Sequence, residues 1–212
     1  MSKIKQLKGY VNYSEILDKM EKTVKKVSEN IKYEEIWFLE HKEVFTAGSS
    51  TPKEFNEEKI NNIEIHKVNR GGKITYHGPG QLIIYPLINI KARNMNIIDY
   101  INVIEDICIG VFNNNQIELI RKKERNRGLW VKSAKGSRKI IFIGLRYSRG
   151  VIHHGLSINF HNDLEKFRKI NPCGLDGREI SSLEELGINY DKDKIIKELK
   201  ERFIQKFDLN LI

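Results

Sequence analysis

NRGGKITYHGPGQLIIYPLINI, residues 69–90, joins a glycine-rich block to a near-continuous apolar run. The run, QLIIYPLINI at 81–90, has the pattern of a strand buried on both faces. The block before it sets Gly71, Gly72, Gly78 and Gly80 around Thr75, Tyr76 and His77. Glycines let a ligand approach the main chain, and exposed N–H groups hold an oxygen or an anion. The same glycines also suit two plain turns of a hairpin. The spacing fits neither GxGxxG opening a helix nor GxxxxGK[ST], so dinucleotide and nucleoside-triphosphate readings are not licensed.

Working outward, the elements alternate irregularly. Residues 12–29 predict an amphipathic helix, with Asn12 and Glu15 as a capping box and Ile16, Leu17, Met20, Val24 and Val27 at helical spacing. EIWFLEH (35–41), EVFTAG (43–48) and IEIHKVNRGG (63–72) are β-rich, with a polar loop between the last two. Residues 96–115 predict a second helix that stops in asparagines and carries Cys108 among core residues. IELI, GLWVK and RKIIFIGLRYS (138–148) predict strands, the last hairpinned to GVIHHGLSINF (150–160). A helical piece after Asn162, a short helix capped by Ser181 or Ser182, and a final helix over 192–208 complete the chain. Strands and helices mix without strict βαβ alternation. That predicts one α+β domain over 1–212, with mixed β-sheets flanked by helices.

The totals set limits. A hydrophobic fraction of 40% over 212 residues sustains a core. There is no apolar run of about 18 residues, and no h-region in the first residues, so neither a membrane span nor a signal peptide is expected. Two cysteines, Cys108 and Cys173, make no disulfide framework and suit a reducing compartment. The net charge of +9 admits nucleic acid, an acidic partner, or a merely solvated surface. The cluster IRKKERNRG (120–128) comes with no nucleic-acid-binding signature.

Chemistry concentrates in few residues. Cys173 lies between Pro172 and Gly174 in a shaped loop, as a packed thiol or a nucleophile. Lys139 stands at the head of the apolar run KIIFIG. It reads as a solvated lysine or, if partly buried, as a base that takes a thiol proton. Arg70 holds an anion or a loop carboxylate. His77 is an acid/base group, an oxyanion donor or a structural histidine. His153 and His154, adjacent on a strand, are expected to face opposite sides. No metal-ligand spacing accompanies them.

Taken in order, RGGKITYHGPGQLIIYP, NRGLWV, KIIFIG, HGLSINF and PCGLDG followed by SSL resemble the octanoyltransferases of lipoate biosynthesis. The blocks cover residues 70–183, with Lys139 34 residues upstream of Cys173. The resemblance implies the biotin/lipoate protein ligase-like fold and a cytoplasmic, monomeric enzyme without cofactor or metal. It implies transfer of an octanoyl group from octanoyl-acyl carrier protein to a lysine of lipoyl domains. Acceptors would be lipoyl domains of 2-oxoacid dehydrogenase complexes and the glycine cleavage H protein, with no nucleic acid or membrane partner. Cys173 would carry the acyl group as a thioester, and Lys139 would be the acid/base. Arg70, Gly71, Gly72, Lys73, Ile74, Thr75, Tyr76 and His77 would line the acyl and thioester site. Phe142, Ile143 and Gly144, with Gly155, Leu156 and Ser157, would form the remaining wall, and His154 and Asn159 would support it. Ser157 departs from the alanine frequent in the family. An ATP-dependent lipoate or biotin ligase and a non-catalytic acyl-binding module are the rival readings. The basic cluster around Arg121, Lys122 and Lys123 is the expected docking face for the carrier.

Overall fold

The computed structural model describes residues 3–122, 127–133, 136–170 and 177–209. The buried-strand reading of the apolar run holds. β7 (Gln81–Asn89) is buried along its whole length. It lies third in a seven-stranded sheet ordered β1-β2-β7-β11-β10-β9-β8. Its neighbours are β2 (Glu35–His41) and β11 (Val151–Asn159), both antiparallel to it. Beyond β11 come β10 (Gly136–Ser148), β9 (Gly128–Ser133) and β8 (Leu119–Arg121).

Successive side chains of β7 serve two cores, which is why alternation is missing from its sequence. Ile83, Tyr85 and Leu87 pack against Ile16, Met20, Val24 and Val27 of α1 (Tyr13–Glu29). Leu82, Ile84 and Ile88 join the larger core under α2 (Ile97–Asn114) and α4 (Lys192–Lys206). Asn12 caps α1, its side chain accepting the Ser14 N–H. Cys108 is buried in the larger core, where burial pushes its thiol up to about 12. A second sheet, ordered β4-β5-β3-β6, stands beside the first. Its strands are β3 (Val44–Ala47), β4 (Lys59–Ile60), β5 (Ile63–Lys67) and β6 (Ile74–His77). Both sheets mix parallel and antiparallel pairs, as α+β predicts. No described helix is long and apolar enough to cross a membrane.

Three expectations change. β1 (Ile4–Val11) is an edge strand parallel to β2 that the sequence did not announce. It is lysine-rich and alternates poorly, as edge strands do. The helix expected from Ser182 is a turn. Ser182 Oγ does accept the Glu185 N–H, but Gly187 follows with φ +66° and no second turn forms. The helical piece expected after Asn162 is present, as the one-turn α3 (Glu165–Arg168).

The third change sits in the centre of the sheet. Pro86 has no N–H to give, and prolines inside sheets go with broken ladders. Register pairs between β7 and β11 run from Asn89↔Val151 to Ile88↔Ile152 and resume at Ile84↔Leu156. Within the gap His154 takes φ +55°. The expected opposition of His153 and His154 fails for this reason. Their rings lie side by side, with centroids 5.3 Å apart and planes 24° apart. Gly155 closes the kink. A Cβ there would stand 2.0 Å from the Ile84 carbonyl oxygen and 2.8 Å from Pro86 Cδ. Gly155→Ala is therefore expected to lower the unfolding free energy by about 3 kcal/mol, the upper range for overpacking. Urea unfolding checks this, and a loss under about 0.5 kcal/mol, the scale of an ordinary surface change, would contradict it.

Candidate active site

Lys139 is 1% exposed. The strand β10 begins three residues earlier, at Gly136, so Lys139 is inside the strand rather than at its mouth. The register against β9 slips between Lys139 and Ile141, and Gly128 faces the slip. A Cβ on Gly128 would meet Lys139 Cε at 2.8 Å and the Ile141 oxygen at 2.2 Å, so only glycine leaves room for the lysine stem. The ammonium nitrogen lies 4.9 Å from the Phe142 ring centroid and 5.8 Å from that of Trp130. The backbone of Lys139 bridges to Ile180, and its carbonyl accepts the Ser181 N–H at 3.0 Å.

Cys173, with Pro172 and Gly174, lies outside the described residues. The chain on either side of that loop is placed. Ile170 and Ile180 both pack in one apolar cluster with Phe142, Phe167 and Tyr76. Ile170 and Ile180 thus share a cluster with Phe142, whose ring lies beside the Lys139 amine.

Two cavities meet at β10. The narrower is lined by Arg70, Gly71, Thr75 and His77, by Phe142, Ile143 and Gly144, and by His154, Gly155, Leu156 and Ser157. Tyr13, Ile83 and Tyr85 complete it. The wider is lined by Ser50, Gly71, Gly72, Lys73, Ile97, Ile101, Arg127, Lys139, Ile143, Gly144 and Leu145. Gly71, Ile143 and Gly144 belong to both. Most residues expected at the site are brought together here. Ile74, Tyr76 and Asn159 are not wall residues. Ile74 packs in the apolar cluster, and Tyr76 donates its hydroxyl to Glu43 at 2.8 Å.

Asn159 instead ends a buried chain of hydrogen bonds with a fixed direction. Arginine only donates. Arg70 gives Nε–H and Nη2–H to Thr46 Oγ1, at 3.1 and 2.7 Å, and Nη2–H to the Thr46 carbonyl at 2.6 Å. The Thr46 hydroxyl proton is then directed to His77 Nε2, 3.5 Å away. That leaves the His77 proton on Nδ1, donated to Gln81 Oε1 at 2.7 Å. The Gln81 amide donates to Asn159 Oδ1 at 2.9 Å, and Asn159 donates to the Ser181 carbonyl at 3.0 Å. The chain ends on the residue whose N–H holds Lys139. It ties the glycine-rich block to the turn beyond Cys173.

The family model described as the lipoyl protein ligase A/B catalytic domain matches residues 12–208. The octanoyltransferase of Wolbachia sp. subsp. Brugia malayi is 36% identical over 198 residues, covering 93% of this chain and 95% of that one. The octanoyltransferase of Buchnera aphidicola subsp. Acyrthosiphon pisum is 39% identical over 186 residues, covering 84% and 83%. The chain belongs to the octanoyltransferase family. Solved structures agree on the fold. Lipoate-protein ligase A bound with ATP superposes with TM-score 0.70 at 13% identity, over 98% of this chain and 86% of that one. Biotin protein ligase from Aquifex aeolicus gives 0.51 at 13%, over 98% and 69%. The fold is thus the ligase-like α+β fold.

In this octanoyltransferase family member, Tyr13, Tyr85 and Thr46 are site residues that motif reading passed over. Tyr13 opens α1 directly after its cap, where it counted only as one more helical residue. The histidines around the narrow cavity are held neutral. Burial, with His41 close by, lowers His77 to about 3. Burial lowers His41 and His153 to about 4. Burial drives His154 well below its ordinary value, and the positive neighbours add to it. The unfolded chain binds these protons near pH 6.5, whereas the folded chain refuses them until about pH 4 or 3. Stability is therefore full above pH 6.5 and falls as the pH drops toward 4, by about 1.4 kcal/mol per pH unit for each such histidine. His77→Asn, which keeps a donor toward Gln81, is expected to remove one histidine's share of that slope. Urea midpoints at pH 7, 6 and 5 check this. An unchanged slope would contradict it.

Proposed function

We propose that this enzyme carries an octanoyl group from the thioester of an acyl carrier protein to a lysine of a lipoyl domain, through a thioester on Cys173 with Lys139 as acid/base. The observation that carries the reading is Lys139, buried beside Phe142 and tied by its carbonyl to the turn that follows the cysteine loop.

The steps balance. Lys139 takes the Cys173 thiol proton, and the thiolate attacks the donor's carbonyl carbon. The tetrahedral intermediate collapses, breaks the carbon–sulfur bond to the donor, and the leaving thiolate recovers the proton from Lys139. The acceptor lysine, as a neutral amine, then attacks the acyl-enzyme. Its extra proton passes through Lys139 to the departing Cys173 sulfur. The first step exchanges one thioester for another and the second makes an amide, so two easy steps replace one hard one. The apolar wall of Ile83, Phe142, Ile143 and Leu156 suits the acyl chain. His77 is engaged on both nitrogens, by Thr46 and Gln81, so its place is in the scaffold rather than in proton transfer. The expected acceptors are lipoyl domains of 2-oxoacid dehydrogenase complexes and the glycine cleavage H protein.

Intact-mass analysis after mixing with octanoyl-carrier protein, without ATP, tests the reading. The expected result is one octanoyl adduct, cleared by hydroxylamine, absent in Cys173→Ala and discharged by an apo lipoyl domain. Lys139→Ala should slow adduct formation by about 10²–10⁴-fold, the usual worth of a general base, with the circular dichroism spectrum unchanged. An adduct of equal size on Cys173→Ala, or transfer that requires ATP, would overturn it.

A further inference from the structure

Two isoleucines stand uncovered beside the site. Ile97 and Ile98, in the first turn of α2, are 41% and 59% exposed, whereas Ile101, Ile104, Ile107 and Val111 of the same helix are buried. Adjacent β-branched side chains are mediocre helix formers, and in water they return nothing to the fold. An apolar patch at a cavity mouth marks an interaction surface.

Ile97 and Ile101 form one wall of the wider cavity that reaches Lys139. Lys73 and Arg127 line the same cavity, and none of its described lining residues is a carboxylate. Among the described residues, the acids at the start of α2 and facing β8 are occupied. Asp99 accepts from Asn96 at 2.6 Å, and Glu105 and Asp106 hold Arg121 at 2.8 and 2.5 Å. Arg121, on β8, is therefore already neutralised by two carboxylates of α2. Lys123 of the expected basic docking cluster lies outside the described residues. Lys122 lies over the Trp130 ring, 3.6 Å from its centroid. The cavity rim offers a separate cationic and apolar face.

We propose that this rim, Ile97 with Lys73 and Arg127, together with the exposed Ile98 that adjoins Ile97 on α2, docks the acyl donor. The donor is an acidic carrier domain that threads a thioester-bearing prosthetic arm down the cavity to Lys139. The inference rests on the transfer reading above and deepens it. The arm's chemistry fits the walls. It carries a phosphodiester, which Lys73 and Arg127 match, and it is long enough to leave the protein body outside, against the isoleucines. An acceptor lysine is short, cationic and has no anion for those two residues. Opposite charges speed and orient the encounter, while the apolar contact holds it.

The test is steady-state transfer by Ile98→Asp with two donors, octanoyl-carrier protein and octanoyl-pantetheine, the latter lacking both phosphate and protein. Aspartate in the first turn of a helix favours the dipole, so the fold is retained, with circular dichroism as the check. The expected result is a KM for the carrier-bound donor raised about tenfold, the scale of one lost interface anchor. Turnover of octanoyl-pantetheine and the KM for the lipoyl domain stay within twofold of wild type. Arg127→Ala is expected to abolish any preference for octanoyl-phosphopantetheine over octanoyl-pantetheine. An unchanged carrier KM would overturn the proposal. So would a rise confined to the lipoyl domain, or a wild-type dimer in sedimentation that Ile98→Asp dissociates. Calorimetric binding of the carrier to wild type and Ile98→Asp scores the face even if no transfer occurs. Failure of the chemistry and failure of the docking face are thereby separated.

Discussion

A lysine packed inside a strand is the constraint around which this molecule is organised. An amine with 1% exposure needs a cavity edge, aromatic faces and a neighbour that gives way. β10 and β9 provide all three, through the register slip at Lys139, the rings of Phe142 and Trp130, and the missing side chain of Gly128. The same strand position holds the chain beyond the cysteine loop, through Ile180 and Ser181. One short piece of β10 therefore sets both where the amine sits and where the loop returns.

The glycine-rich block has a different task from the one its composition suggests. Its polar side chains turn largely inward. Arg70, Thr46, His77, Gln81 and Asn159 form a one-way chain of donors that ends at Ser181. Buried polar groups in such a chain are costly unless all are satisfied, and satisfied they specify a single arrangement. The narrow cavity gains a rigid polar edge, with the histidines beside it held neutral and Arg70 as the charged group on its wall.

The architecture was legible where one physical signal dominates. The unbroken apolar run of β7 announced burial on two faces, and Asn12 with the spacing of Ile16, Met20, Val24 and Val27 announced α1. Reading failed where a single residue overrides the period. Pro86 breaks the ladder across the sheet, His154 adopts a left-handed conformation in response, and alternation no longer predicts where two histidines point. Ser182 and Glu185 bear the chemistry of a helix start, yet Gly187 arrives before a second turn. Tyr13, Tyr85 and Thr46 reach the site from three separate elements, a convergence that exists only after folding. The motif order did carry the family, because motifs are encoded in residue identities and their order, not in periodicity.

The most direct test of the central claim is the pH dependence of Cys173 alkylation by iodoacetamide, followed peptide by peptide so that Cys108 is read separately, in wild type and Lys139→Met. If Lys139 takes the thiol proton, Cys173 in the wild type reacts at pH values below the ordinary thiol range of about 8.5, and the Lys139→Met profile moves up to that range or beyond. Superimposable profiles in the two proteins would contradict the account.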